Sequence, residues 1–405
     1  MSSPSHTLAT APARDAVHVK GWELGVGVFI AGFCVFLQLY ATQPLLSLLR
    51  RAFSSSEGEV TLTVSAATLA VAVASPFVGS LGDALGRKRV IVPCLASIAF
   101  ATLLCGTARS LPALIAWRFV GGVFTPGVIA VTLAYISEES PAGTAAWTTS
   151  LYVTGTVLGG LTGRLVSAFV ADSVSWRGAF VSLAILTMLG ALATAWLLPR
   201  STRFVRQTDW HESARSLRQH LRNPQLLATY FVGYSVLFCH VGLFTYASFR
   251  LASPPFSLST SALGSVFLVY ALGLFVTPAA GKMVDVIGHR AGTSIAAITV
   301  VLGALLTLVP GLTTFVVGLA VASSGVFVAQ ASASSHVGSS AEDARSAASG
   351  LYVASYYFGG SCGATALVVP WRYGGWTAVV ACIAAVQAAV LFVAQRYFDP
   401  KVAAP

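Results

Sequence analysis

The sequence predicts an all-α polytopic membrane protein, with twelve transmembrane helices in two pseudo-symmetric six-helix bundles. Three observations carry this. Of 405 residues, 56% are hydrophobic and only 9% are charged. Soluble domains carry about 25% charged residues, so the natural solvent for this much apolar surface is the bilayer. Apolar runs of roughly 20 residues, enough for a helix to cross hydrocarbon, recur along the chain. They are continuous rather than alternating, which excludes a barrel. Finally, the halves repeat. Pro76-x-x-Gly79-x-x-x-Asp83-x-x-Gly86 returns 202 residues later as Pro278, Gly281, Asp285 and Gly288. Leu151-Tyr152-Val153 with Gly159, Gly160 and Gly163 returns after 200 residues as Leu351-Tyr352-Val353 with Gly359, Gly360 and Gly363. Parallel duplication of this kind is a transporter architecture.

The elements follow in order. Residues 1–21 read as a polar tail without the basic start, apolar core and cleavage site of a signal peptide. The N-terminal bundle, 22–198, holds spans at 22–43, 60–82, 90–107, 111–134, 146–170 and 177–198. A basic linker follows at 199–225. Within it Trp210, Ala214, Leu217 and Leu221 recur at helical spacing, flanked by Arg215, Arg218 and Arg222. That pattern predicts an amphipathic helix on the membrane face, with Thr208 or Asp209 as its cap. Pro224 marks the start of the C-terminal bundle, 226–398, with spans at 226–249, 261–281, 291–309, 312–333, 347–369 and 376–396. Trp176 and Trp376 precede the sixth and twelfth spans at matching positions. Residues 399–405 form a short tail.

Charge sets the expected orientation. Of 24 Lys and Arg, 16 fall on the side of the termini, six on the opposite side and two, Arg118 and Arg164, inside spans. The bias places both termini in the cytoplasm. The net charge of +10 collects in loops beside apolar spans, which favours anionic lipid over nucleic acid as its partner. Six cysteines lie within apolar runs without metal-ligand spacing and read as buried free thiols. No Walker loop, nucleophile elbow, H-E-x-x-H or dinucleotide fingerprint is present, so neither an enzyme nor an ATP-driven pump is expected, and no cofactor or metal.

The most specific stretch is Gly79-Ser80-Leu81-Gly82-Asp83-Ala84-Leu85-Gly86-Arg87-Lys88-Arg89, a glycine-rich charged turn between two apolar runs. Gly86 permits the tight turn that ends helix 2, and Gly79 and Gly82 allow close helix approach. Asp83 is placed to bond the positive N-terminus of helix 11 near Ser346. Arg87 is placed to pair with Glu138 or Glu139 at the end of helix 4. With Lys88, Arg89, Gly281, Asp285, Gly288 and Arg290, these residues are expected to form a cytoplasmic gate that holds the halves together until it opens.

This stretch resembles the loop signature Gly-x-Leu-x-Asp-Arg-x-Gly-Arg-Lys/Arg of the major facilitator superfamily, with Ala84 in place of an arginine. The chain looks like a twelve-helix member, similar to the prokaryotic proton-driven drug and metabolite exporters. Arg118, in Arg118-Phe119-Val120-Gly121-Gly122, resembles the family's helix-4 Arg-x-x-Gln-Gly, with Gly121 replacing glutamine. Gly155, Gly159, Gly160 and Gly163 resemble its helix-5 exporter signature, with Gly160 in place of proline and Thr162 in place of a glycine. The resemblance implies close packing and rocking of helices 5 and 8. It also implies alternating access, proton-coupled efflux of a small organic solute, a proton gradient as energy source, and a monomer in a bacterial inner membrane.

Coupling and substrate residues are less legible. No Asp or Glu lies centrally in any span. Arg118, Arg164 and His240 are the coupling candidates, His240 alone titrating near neutrality. An arginine cannot release its proton, so it tunes a neighbour or binds an anion. Gln38, Tyr40, Gln43, Tyr246, Tyr270, Gln330 and Tyr356 are polar groups within apolar runs and are the substrate-cavity candidates. An uptake symporter or facilitator for a sugar or metabolite, and a receptor or scaffold that no longer transports, are the competing readings.

Overall fold

A computed structural model describes residues 21–141, 143–199, 201, 221–340 and 345–398, leaving aside the side chains of 21, 79–84, 338–340 and 345–347. Twelve long helices cross back and forth among the described residues. They are α1 (Gly21–Leu39), α2 (Glu57–Leu85), α3 (Arg87–Thr107), α4 (Leu111–Glu139), α5 (Ala145–Ser173) and α6 (Trp176–Leu197). After the linker come α7 (Pro224–Ala252), α8 (Thr260–Ile287), α9 (His289–Leu306), α10 (Leu312–Ser340), α11 (Arg345–Thr365) and α12 (Val368–Tyr397). Eleven are long and apolar enough to span a membrane. The exception, α11, is diluted by serine and glycine. It packs between α2 and α7, so protein rather than lipid surrounds much of it. The even number of crossings puts the start of α1 and the end of α12 at one end of the molecule; the opposite end is called distal here.

The packing repeats with a shift of six helices. In the first half α1 packs on α5, α2 and α3 on α4, and α3 on α6. In the second half α7 packs on α11, α8 and α9 on α10, and α9 on α12. Across the divide the main partners are α2 with α11 and α5 with α8. Helix α7 is mostly buried. Peripheral α3, α6, α9 and α12 expose large apolar side chains such as Phe100, Leu192, Leu302 and Phe392, which in water would be an aggregating surface and in a bilayer is the solvated one.

Side-chain caps mark several helix starts. Ser110 Oγ accepts from the Ala113 N–H at α4, Ser175 Oγ from Gly178 at α6, and Ser259 Oγ from Ala262 at α8. Asn223 Oδ1 accepts from Gln225 and Leu226, and Pro224 opens α7. The amphipathic linker helix around Trp210 falls outside the described residues.

Several boundaries differ from the sequence reading, each for a local reason. Helix α1 stops at Leu39 rather than running to 43. Pro44 lacks a donor, and the chain passes through a 3-10 turn, Gln43–Leu45, into a short helix, Leu46–Ala52. Residues 79–85 are the last turns of α2, not a loop; only Gly86 leaves the helix, at φ 90°. Its repeat Gly288 does the same at φ 84°. Both have ψ near the extended range, a combination that a β-carbon makes strained. The duplicated glycines therefore carry duplicated turns. Helix α12 begins early, with a break at Gly375 (φ 58°), and its continuous part starts at Trp376. Three of the six free thiols, Cys34, Cys105 and Cys239, are buried; Cys94, Cys362 and Cys382 are half-buried.

Candidate functional site

Arg118 sits where α1 breaks. The early end of α1 leaves the carbonyls of Gln38 and Leu39 without helical donors, and such orphans are expensive in hydrocarbon. Arg118, 3% exposed, fills that gap. Its Nη1 donates to the Gln38 carbonyl at 2.7 Å, Nη2 to the Leu39 carbonyl, and Nε to the Thr63 carbonyl of α2 at 3.1 Å. A cation at a helix C-terminus also complements the negative end of its dipole. Gln38 is tied into the same node, accepting from Thr102 Oγ1 at 3.0 Å. Arg118 thus clamps α1, α2 and α4 through backbone oxygens.

Arg164, 2% exposed, lies nearer the distal end on α5. Its Nε donates to Gln43 Oε1 at 2.9 Å and its Nη1 to the Gly160 carbonyl at 2.8 Å. The guanidinium carbon stands 4.3 Å from the Tyr270 ring centre, 4.8 Å from Tyr40 and 5.1 Å from Phe267. Phe267 and Tyr270 belong to a 3-10 stretch, Phe267–Leu272, that interrupts α8. His240 of α7 joins the cluster through its ring, 4.5 Å from Tyr270 and 5.6 Å from Phe327. A second polar group adjoins it. Tyr352 hydroxyl donates to Gln330 Oε1 at 3.4 Å, Gln330 Nε2 donates to Ser334 at 3.1 Å, and Tyr356 packs against Tyr352 and Tyr357. Tyr246 does not line this space. It is fully buried, and its hydroxyl donates to the Ala364 carbonyl at 2.8 Å within the C-terminal half.

The distal end is closed. Gln43 Nε2 donates to Thr245 Oγ1 at 3.4 Å, Ser65 and Ser361 share a 2.7 Å bond, Ser261 donates to Asp172 at 2.6 Å, and Trp371 Nε1 donates to Glu57 at 3.0 Å. Each joins the two halves, and each lies toward that end. Gly264 of α8 lets α8 approach Ala168 and the Arg164 carbonyl of α5 at the same level.

Two expectations need correction. Arg87 binds Glu138 with both ends of its fork, at 2.5 and 3.1 Å, but α3 and α4 are in one half. The pair therefore braces the N-terminal bundle and does not join it to the other. Lys88 donates to the Leu198 carbonyl, again within that bundle, Arg89 is exposed and Glu139 is buried. Arg290 donates to Gln395 at 2.7 Å, bracing α9 to α12. The side chains of 79–84 and of 345–347 at the start of α11 are outside the description, and with them the expected bond from Asp83 to that helix end. The second correction concerns α5. Gly155, Gly159 and Gly163 face α1, not α8: a β-carbon at each would meet the carbonyls of Phe29, Phe33 and Leu37 at 2.4, 2.1 and 1.6 Å. Gly359 and Gly363 of α11 repeat this against Tyr234 and Phe238 of α7. Gly160 points elsewhere, toward Arg164. The four-residue spacing makes a stripe for backbone contact inside each half.

The structure also adds residues that the sequence did not single out. Phe267, Thr245 and Tyr357 are ordinary members of apolar runs, and only their neighbours distinguish them.

Comparison with known proteins agrees with this architecture. The Major Facilitator Superfamily model matches residues 28–364. The inner membrane transport protein YnfM of Escherichia coli (strain K12) is 33% identical, over 92% of this chain and 89% of its own. An uncharacterized transporter of Buchnera aphidicola subsp. Schizaphis graminum is 29% identical over 88% of this chain and 87% of its own. Among solved structures, a bacterial homologue of the human lysosomal transporter Spinster, inward-facing and unoccupied, superposes with a TM-score of 0.76 at 16% identity, covering 96% of this chain and all of that one. The family match and the transporter relatives, together with the apolar helices, define a multi-pass membrane transporter rather than an enzyme. The chain belongs to the major facilitator superfamily.

Proposed function

We propose that this carrier works by alternating access and exports a small organic solute in exchange for protons, with both termini in the cytoplasm of a bacterial inner membrane. The observation that carries the reading is the arrangement of the divide. Two helix pairs close the distal end above a cluster of aromatic and polar groups drawn from α1, α5, α7, α8 and α11. A site so placed has one closed side, and rocking the halves exchanges which side is closed. The charge asymmetry of the loops makes the distal end the outer one. The α5 glycines keep their likeness to the exporter signature, while their packing makes each half stiff rather than hinged.

A second reading, an uncoupled facilitator, is favoured by a specific observation. Among the described residues, every Asp and Glu lies within about one turn of a helix end, whereas proton carriers place a titratable group in the pathway. Among the described residues, His240 is the one group titrating near neutrality that lies centrally in a span, enclosed by rings. Purified protein in proteoliposomes with an imposed pH gradient and a panel of drugs, sugars and organic acids separates the readings. Accumulation of a solute against its own gradient with protons moving the other way is the expected result. Equilibration indifferent to pH establishes the facilitator, and absence of any protein-dependent flux overturns both.

A further inference from the structure

We infer that the solute is an organic monoanion with an aromatic body, and that Arg164 is the residue that takes its carboxylate. This deepens the carrier reading above and rests on it. Arg164 is a buried cation that makes no ion pair among the described residues. Its two hydrogen bonds end on neutral oxygens, the Gln43 amide and the Gly160 carbonyl. The nearest acid along its own helix, Asp172, is eight residues away, about 12 Å at helical rise, and it is already engaged by Ser261.

The contrast with Arg118 is informative. Arg118 spends its fork on three backbone carbonyls of α1 and α2, which is a structural task. Arg164 instead faces three ring surfaces and one side-chain amide. Those are soft partners, which an incoming carboxylate outcompetes because charge-assisted bidentate bonds are stronger than neutral ones. Burial of an unpaired charge is costly, and a monoanion removes that cost.

The surroundings define the rest of the ligand. Tyr40 and Tyr270 present faces at the guanidinium. Flat aromatic rings stack in such walls. The local backbone is suited to adjust. Phe267 and Tyr270 sit on the 3-10 segment of α8, and mid-helix 3-10 turns mark hinges. Gln43, which a ligand carboxylate would displace, also donates to Thr245 across the divide. Occupancy of Arg164 therefore removes contacts that join the halves at the distal end.

The test uses full-length protein in detergent, with 1-naphthoate, neutral 1-naphthamide and cationic 1-naphthylmethylamine as probes. Binding is read by calorimetry, so that it does not depend on flux. Naphthoate is expected to bind at least about tenfold more tightly than naphthamide, one such step in affinity being about 1.4 kcal/mol. Arg164→Gln is expected to abolish that preference, bringing naphthoate to the affinity of naphthamide in the same variant; Arg164→Lys keeps part of it. If Arg164→Gln does not fold, Gln43→Glu serves instead. It supplies a built-in carboxylate, so it is expected to raise Tm and erase the preference for naphthoate. Equal affinity of the wild-type protein for naphthoate and naphthamide overturns the inference, as does an undiminished preference in Gln43→Glu. Should another solute be transported in proteoliposomes while naphthoate does not bind, the carrier reading stands and the anion site falls. Binding of naphthoate without any protein-dependent flux keeps the site and removes the carrier.

Discussion

Replacement of Gly163 by valine is expected to yield no monodisperse protein. A β-carbon at this position would lie 1.6 Å from the Leu37 carbonyl oxygen, and the clash is with backbone that no rotamer change relieves. Helix α5 would have to retreat from α1 along its length. Gly155 and Gly159 share the contact, so the retreat would open the whole stripe. Overpacking of a core against side chains costs about 1–3 kcal/mol, and a fixed backbone puts this substitution at or beyond the top of that range. Size-exclusion chromatography in detergent and the yield of membrane-inserted protein report it. Gly281→Ala is the control. Nothing lies within 4 Å of a β-carbon there, and alanine improves helix propensity. A monodisperse Gly163→Val protein with wild-type Tm would refute the proposed packing of α5 on α1.

Arg118→Leu is expected to have the next largest effect. The substitution removes the donor of the Leu39 carbonyl, strips a second donor from the carbonyls of Gln38 and Thr63, and unties three segments in the middle of the bundle. A buried polar group stranded in this way costs about 1–3 kcal/mol and the further bonds lost add to it, so the loss should be several kcal/mol and show as a large fall in Tm. Arg118→Lys recovers only part, because a single ammonium cannot span three oxygens on two helices. The same experiment decides between a clamp and a coupling residue. A clamp loses stability and transport together. A coupling residue would lose transport with Tm unchanged, and that outcome would sink the clamp.

How much of this was legible beforehand depends on what each feature requires. Spans show in composition because the bilayer demands length and apolarity, and the repeat shows because it is written in residues. Gly86 and Gly288 were legible as turns because only glycine tolerates φ near +90° with extended ψ. Arg118 announced itself as a cation inside a span. Its partners did not, because they are carbonyls, and every residue has one. They became available only when α1 broke at Leu39, four residues earlier than its apolar run suggests.

The α5 glycines illustrate a second limit. Spacing of four defines a helical face but not which helix it meets, and the neighbour is α1 rather than α8. The 3-10 stretch Phe-Leu-Val-Tyr-Ala-Leu contains neither proline nor glycine, so nothing in it warned of irregularity. What marks the stretch is tertiary: it lies against α5 and α10. Arg87 differs: its pairing with Glu138 was inferable, and because both residues fall within 22–198, so was the confinement of the pair to one bundle, which the expectation of a gate between halves passed over.

The absence of acid from the interior has an electrical meaning. An empty carrier holds a cation at Arg164 that is neutralised when a monoanion binds, so the two forms differ by one elementary charge. On the proposed orientation the termini face the negative side of the membrane. Voltage then draws the empty site inward and leaves the loaded one indifferent, at about 2.3 kcal/mol per charge for each 100 mV crossed in full. The membrane potential would thus add its own drive to the export of an anion, beside that of the proton gradient. Naphthoate efflux from proteoliposomes should quicken under an inside-negative potassium diffusion potential and slow when the sign is reversed. Insensitivity to voltage would mean that a proton leaves together with the anion.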